Sequence, residues 1–176
     1  MTDQPLLTYF AYGSNMLSRR LQARVASARP VGIGRLHGHR LRWHMLGSDG
    51  SAKCDALHTG HQPDCLWGVL YTIDPREKHH LDRAEGLGMA YAQATVRIVA
   101  ADTEVEAFTY RALRIRDGQR PFHWYREFVL RGAHEHGLPA EYLRELASVR
   151  SLADPDAERA ALNEAIYFTP SGGAIR

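Results

Sequence analysis

A change in hydrophobic periodicity near His123 constrains the fold of this chain more than any other sequence feature. Before His123 the apolar segments are short, rich in aromatic and β-branched residues, and separated by Gly, Asp, Ser and Pro. This pattern is typical of β-strands joined by turns. After His123 the apolar residues recur at the spacing of amphipathic helices. Strands followed by helices predict an α+β domain, with a curled sheet or barrel and helices at one side.

The individual elements follow from the same patterns. Strands are predicted over residues 6–11, 31–36, 40–45, 52–58, 67–73, 91–99 and 104–111. Helices are predicted over residues 16–25, 75–84, 123–136, 139–149 and 155–165. Asp74 is the predicted cap of the second helix, with Glu77 completing a capping box, and Gly86 follows the end of that helix. Asp154 is the predicted cap of the last helix.

Length and composition bound the number of domains. The chain has 176 residues, of which 44% are hydrophobic and 24% charged, and this is enough for one domain with a hydrophobic core. We expect a single domain over residues 1–150. Residues 151–176 are expected to form a C-terminal helix and a flexible tail.

Charge and hydropathy exclude several classes of partner. The formal net charge is +2 with both signs scattered along the chain, whereas nucleic-acid-binding proteins carry a basic stripe. No segment reaches the roughly 20 consecutive apolar residues of a membrane span, and residues 1–7 lack the pattern of a signal peptide. Two cysteines are too few for a disulfide framework. We therefore expect a soluble, cytoplasmic protein that binds neither nucleic acid nor membranes.

The segment Tyr12-Gly13-Ser14-Asn15 lies between a predicted strand and a predicted helix. Such a turn directs several backbone N–H groups into one space, and its glycine lets a ligand approach the main chain. It is therefore a candidate anion site. The alternative is an ordinary turn in which Ser14 or Asn15 caps the helix.

Glu85 is placed at the C-terminal end of a predicted helix, next to Gly86. The helix dipole disfavours a carboxylate at this end, so helix stability does not explain the residue. Two interpretations remain: a solvated loop glutamate, or a partly buried general base.

Four potential zinc ligands, Cys54, His58, His61 and Cys65, lie close together in the sequence. Their spacing matches neither the paired-cysteine knuckle nor the two-histidine helix of small zinc modules. We therefore predict no metal site. The chain also lacks a phosphate-binding loop, a dinucleotide fingerprint and a nucleophile elbow, and no cofactor is predicted.

Four motifs occur in order along the chain. They are Tyr12-Gly13-Ser14-Asn15-Met16, Trp67-Gly68-Val69-Leu70-Tyr71, Leu81-Asp82-Arg83-Ala84-Glu85-Gly86 with Tyr91, and Trp124-Tyr125 with Gly132-Ala133-His134-Glu135-His136-Gly137-Leu138-Pro139. Their order and spacing resemble the γ-glutamylcyclotransferase family, including its AIG2-like members. The resemblance extends over about residues 6–149.

The resemblance implies a mixed β-barrel with flanking helices. It also implies an enzyme of γ-glutamyl compounds, a lyase or transferase in which Glu85 is the acid/base residue. The implied substrate-binding residues are Tyr12, Gly13, Ser14, Asn15, Met16, Tyr91 and Tyr125. The implied reaction cyclises a γ-glutamyl amino acid or γ-glutamyl amine to 5-oxoproline and releases the amine. It needs no metal and no other cofactor.

The expected partner is thus a small γ-glutamyl substrate, and the protein is expected to be a monomer or a homodimer. The leaving group of the substrate is expected near Tyr91, Tyr125 and a run of arginines. The alternative is that those arginines belong to a solvated loop. The run comprises Arg111, Arg114, Arg116 and Arg120. The alternative function is a non-catalytic module that binds a small glutamyl or amino-acid ligand in the same pocket.

Overall fold

The computed structural model describes residues 4–168, and its strands form a barrel and a separate two-stranded sheet. The strands are β1 Leu7–Ala11, β2 Arg29–His37, β3 His39–Leu46, β4 Ala52–His58, β5 Cys65–Ile73, β6 Tyr91–Ala100 and β7 Thr103–Ala112. The closed barrel has the order β1-β5-β2-β6-β7, and β3 pairs with β4 outside it. Each predicted strand is present, and the predicted barrel is confirmed.

The barrel is mixed because one of its strand pairs is parallel. β1 pairs with β5 antiparallel, from Leu7 opposite Ile73 to Ala11 opposite Val69. Its other edge meets β7 in parallel, with Tyr9 opposite Phe108. β1 is therefore the strand that closes the barrel, and the chain leaves its end directly into the turn at Tyr12.

The helices flank the barrel. They are α1 Ser18–Gln22, α2 Lys78–Glu85, α3 His123–Glu135, α4 Ala140–Ser148 and α5 Ala157–Phe168, with 3₁₀ turns at Ser14–Met16 and Pro75–Glu77. Among the helices of residues 4–168, none combines the length and apolar character that a membrane span requires. The predicted tail at the C-terminal end falls largely at residues 169–176, outside the described part of the chain.

The core joins the barrel to its helices. Phe10 of β1, Tyr71 of β5 and Phe128 of α3 are fully buried, as are Leu21 of α1 and Leu81 of α2. Burial of one large apolar side chain stabilises a fold by about 1.5–3 kcal/mol. The core thus holds the ends of β1, α1, α2 and α3 together, and these are the ends that surround the candidate site.

The capping box predicted at Asp74 and Glu77 is wrong. Asp74 does cap the turn, since its Oδ1 accepts a hydrogen bond from the Arg76 N–H at 2.8 Å. The Glu77 carboxylate, however, accepts from the Ser27 N–H at 2.9 Å, and Ser27 Oγ accepts from the Asp74 N–H at 2.9 Å. A neighbouring segment has thus replaced the local partner that a capping box requires.

The start predicted for the last helix is also wrong by two residues. Asp156 is the cap, since its Oδ1 accepts from the Arg159 N–H at 2.9 Å. Asp154 instead accepts from Trp124 Nε1 at 2.7 Å, and this bond attaches the segment before α5 to α3. The rings of Phe128 and Tyr167 are in contact at 5.4 Å between centroids. α5 therefore packs against α3.

Gly132 allows α3 to touch the turn that follows β1. A Cβ at this position would lie 2.5 Å from the backbone carbon of Met16 and 2.7 Å from its Cβ, and it would also clash with the Leu17 backbone nitrogen. Backbone atoms cannot move aside as the tip of a flexible side chain can. The residue must therefore be glycine for α3 to pack at this distance.

We predict that Gly132→Ala lowers the free energy of unfolding by about 1–3 kcal/mol, the usual cost of an overpacked contact. Denaturant-induced unfolding measures the change. His134→Ala is the control, because His134 is exposed on the same helix and such a substitution changes stability by about 0.5 kcal/mol or less. Equal stabilities of the two variants would contradict the tight contact.

Candidate active site

A small cavity opens at the end of β1, where the first 3₁₀ turn meets the end of α2. Seven of the predicted site residues line it, and Met16 does not. Met16 is fully buried, and its N–H donates to the Gly13 carbonyl at 3.0 Å. The lining residues are Tyr9, Tyr12, Gly13, Ser14, Asn15, Cys54, Glu85, Tyr91, Tyr110 and Tyr125.

Glu85 is the one acidic residue in this lining. It is the last residue of α2, and Gly86 ends the helix in the left-handed conformation with φ 62°. Its Oε1 accepts hydrogen bonds from Asn15 Nδ2 at 2.9 Å and from Arg24 Nη1 at 3.0 Å. The Glu85 side chain is 15% exposed. The solvated-loop interpretation is therefore wrong: Glu85 is a held carboxylate on the cavity wall.

Asn15 connects the carboxylate to its surroundings. Its Nδ2 donates to Tyr9 Oη at 3.1 Å as well as to Glu85, and its Oδ1 accepts from Arg24 Nη1 at 2.9 Å. Neither Ser14 nor Asn15 caps the helix, because no side-chain hydrogen bond is found at the start of the 3₁₀ turn or of α1. The helix-cap interpretation is therefore wrong, and the reason is that Asn15 binds Glu85 instead.

Packing limits the size of the residue at position 13. Its φ is −115°, so the backbone is not in the left-handed conformation that favours glycine. A Cβ at Gly13 would, however, lie 3.1 Å from Cys54 Cβ and 3.5 Å from Tyr125 Oη. Any side chain here would press against β4 and narrow the cavity. Gly13 thus sets the distance between the turn and β4.

The cavity tyrosines are neutral and already hydrogen-bonded. Tyr91 Oη donates to the Cys54 carbonyl at 2.7 Å, and Tyr125 Oη accepts from the Cys54 N–H at 3.1 Å. Tyr12 Oη donates to the Tyr110 carbonyl. Burial raises the pKa of Tyr12, Tyr91 and Tyr125 well above the usual range. These hydroxyl groups therefore remain protonated and form an uncharged wall around Glu85.

Cys54 lies on this wall, but the four potential zinc ligands do not come together. Burial raises the pKa of the Cys54 thiol far above its usual range. The His58 ring contacts His39 at 4.8 Å, and His61 Nδ1 lies 3.4 Å from Asp64 Oδ1. Within residues 4–168 no three His, Cys, Asp or Glu side chains are grouped so that they could hold a metal ion.

A larger groove adjoins the cavity. The two share Ser14, Glu85, Tyr91 and Tyr125. Of the arginine run expected near the leaving group, Arg114 lines the groove. The other three, Arg111, Arg116 and Arg120, are exposed and stand outside this lining.

Sequence reasoning missed Tyr9, Cys54, Tyr110 and Arg24. Tyr9 lies in β1, and the strand pattern does not distinguish it from the core residues Phe10 and Ala11, which are buried as well. Arg24 follows α1 among other arginines and is typical of a solvated surface. Its ion pair with Glu85 joins residues 61 positions apart, and no local pattern reports such a contact.

This chain is similar to several known proteins. A model of the AIG2-like family matches residues 65–146, a span that contains Glu85, Tyr91 and Tyr125. γ-Glutamylcyclotransferases of Bos taurus and Homo sapiens are each 28% identical over 155 residues, which cover 84% of this chain and 80% of theirs. A solved γ-glutamyl cyclotransferase superposes with a TM-score of 0.81 at 22% identity, covering 91% of this chain and 99% of that one.

The fold is thus that of the γ-glutamyl cyclotransferases. The resemblance drawn from the sequence is confirmed: the chain is similar to the AIG2-like family over residues 65–146 and to γ-glutamylcyclotransferases over most of its length.

The Arg24–Glu85 contact can be tested without a substrate, through the free energy of unfolding. We expect a double-mutant cycle with Arg24→Gln and Glu85→Gln to give a coupling energy of about 0.5–2 kcal/mol, because the pair is partly buried and shares Asn15. Denaturant-induced unfolding of the four proteins measures it. The exposed pair Arg97 and Glu104, 3.9 Å apart, should give less than about 0.5 kcal/mol. Equal coupling in both pairs would contradict a held carboxylate.

Proposed function

We propose that this protein is a cyclotransferase that converts a γ-glutamyl compound into 5-oxoproline and a free amine, with Glu85 as the acid/base residue. One observation carries the proposal: the Glu85 carboxylate is fixed at the cavity wall by Asn15 and Arg24 through a single oxygen. Among residues 4–168, both hydrogen bonds to this carboxylate go to Oε1, so Oε2 retains its lone pairs for a proton of the substrate.

The substrate's own chemistry requires such a base. Its α-nitrogen is an ammonium at neutral pH and cannot attack the side-chain carbonyl until a proton is removed. Glu85 takes this proton, and the amine then forms a bond to the carbonyl carbon. The bond from that carbon to the leaving nitrogen breaks as Glu85 returns the proton to it. In all, two protons leave the α-nitrogen and two reach the leaving nitrogen, so the reaction is balanced without any other reactant.

The attack is intramolecular, so much of the acceleration comes from holding the glutamyl chain in a folded conformation. The narrow cavity suits this task because its turn and its tyrosines are fixed by hydrogen bonds. The glutamyl head group is assigned to Tyr12, Gly13, Ser14 and Asn15, which line the cavity with Glu85. Backbone N–H groups there are suited to a carboxylate or a developing oxyanion.

We predict that Glu85→Gln reduces kcat about 10²- to 10⁴-fold, the usual contribution of one general acid/base residue. The amide keeps the size of the side chain and still accepts hydrogen bonds through its oxygen, so the variant should remain folded. A chromatographic assay of 5-oxoproline over a panel of γ-glutamyl amino acids and amines measures the rate.

Glu141→Gln is the matched control, since its side chain is 92% exposed on α4, and it should keep the wild-type rate. Wild-type turnover by Glu85→Gln would remove this residue from the mechanism. A wild-type protein that binds a γ-glutamyl compound in calorimetry but releases no 5-oxoproline would favour the non-catalytic binding module instead.

We also predict that Gly13→Val weakens substrate binding by roughly tenfold or more, as expected for overpacking by 1–3 kcal/mol. The valine methyl groups would meet Cys54 and Tyr125 across the cavity. Ser14→Ala removes only a hydroxyl group and should have a smaller effect. Calorimetry in the Glu85→Gln background compares the two without turnover. The opposite order would make the serine hydroxyl, and not the close backbone, the main contact.

A further inference from the structure

The groove beside the cavity is strongly cationic. Its lining contains five basic side chains and a single carboxylate, that of Glu85. The five are Arg20, Arg24, Lys53, Arg83 and Arg114. Such an imbalance at one wall creates a positive potential that attracts anions.

Two of these cations are already neutralised within the protein. Arg24 pairs with Glu85 at 3.0 Å, and Lys53 Nζ pairs with Asp49 Oδ2 at 2.7 Å. In the described part of the chain, the remaining three arginines, Arg20, Arg83 and Arg114, form no ion pair. The groove thus keeps a surplus of three positive charges.

Arg20 is the least expected of the three, because it is partly buried whereas Arg83 and Arg114 are exposed. Its guanidinium lies 4.1 Å from the centroid of the Phe128 ring. Its Nε is buried and has no hydrogen-bond partner among residues 4–168. Burial and the neighbouring charge of Arg24 lower the pKa of Arg20 to about 9. A buried donor without a partner is costly, and a carboxylate on the groove side of this guanidinium would offset part of that cost through its charge.

The position of the groove indicates which part of the substrate it binds. The cavity and the groove meet at Glu85, and in the proposed reaction the leaving nitrogen must reach this residue to receive a proton. The glutamyl half fills the cavity, so the groove is the space left for the leaving group. One α-carboxylate on that group would neutralise one arginine and leave two positive charges of the groove without an acidic partner.

We propose that the groove selects an acidic amino acid as the leaving group, with Arg20 holding one carboxylate and Arg83 and Arg114 receiving the second. Arg83 and Arg114 are exposed, so they attract the substrate from solution and remain partly hydrated when it is bound. This proposal rests on the proposed cyclotransferase reaction and adds the charge of the leaving group to it.

Three matched substrates test the proposal. γ-Glutamyl-glutamate and γ-glutamyl-glutamine have the same shape and differ by one carboxylate. γ-Glutamyl-glutaminamide has no carboxylate on the leaving group. We expect kcat/KM for the wild-type protein to fall about tenfold or more at each of the two steps. The advantage of γ-glutamyl-glutamate should also shrink as the salt concentration rises.

Three arginine variants test which arginine binds each carboxylate of the leaving group. Arg20→Gln should abolish the preference for γ-glutamyl-glutamine over its amide. Arg83→Gln and Arg114→Gln should each reduce the preference for glutamate over glutamine. Arg97→Gln is the control, since its side chain is 77% exposed on β6 and outside the groove. A ratio of kcat/KM values does not depend on the concentration of folded protein, so partial unfolding of Arg20→Gln leaves the result interpretable.

The outcomes separate the two proposals. Release of 5-oxoproline at equal kcat/KM from all three substrates would overturn the acidic leaving group and leave the cyclotransferase reaction intact. Preferences that persist unchanged in all three arginine variants would also overturn it. Failure of every substrate to yield 5-oxoproline would contradict both proposals.

Discussion

The hydrogen-bonded carboxylate of Glu85 is the interaction on which the site depends. It lies at the end of a helix whose dipole disfavours a negative charge, and it is shielded from most of the solvent. Arg24 offsets both effects, and Asn15 fixes the two side chains to each other and to Tyr9 of β1. These hydrogen bonds therefore fix the relative positions of β1, the turn after it and the end of α2.

The sequence predicted the elements well because their patterns are local. The aromatic and β-branched residues of β5 and the helical spacing in α3 are local properties of the sequence, and both elements are present. The left-handed Gly86 after Glu85 is equally local. The partners of these residues were not predictable in this way. Glu77 binds Ser27, 50 positions away, and Arg24 binds Glu85, because tertiary contacts outcompete the local alternatives.

The cavity and the groove differ in their electrostatics although they share a wall. The cavity hydroxyl groups stay neutral, since burial raises the pKa of Tyr91 and Tyr125. Among the described residues that line the cavity, Glu85 is therefore the one with a charged side chain. The groove has several cations instead. In the proposed reaction, proton transfer and recognition of charge thus belong to separate parts of one site, with Glu85 at the boundary.

The contact of Gly132 with the backbone of Met16 has a consequence for how the protein loses activity on heating. At Gly132 no side chain of the helix separates its backbone from the turn, so no rotamer change of residue 132 can absorb a displacement. A shift of α3 becomes a shift of the turn that lines the cavity. Inactivation should therefore coincide with the melting of this helix, and no folded but inactive form should accumulate below that temperature.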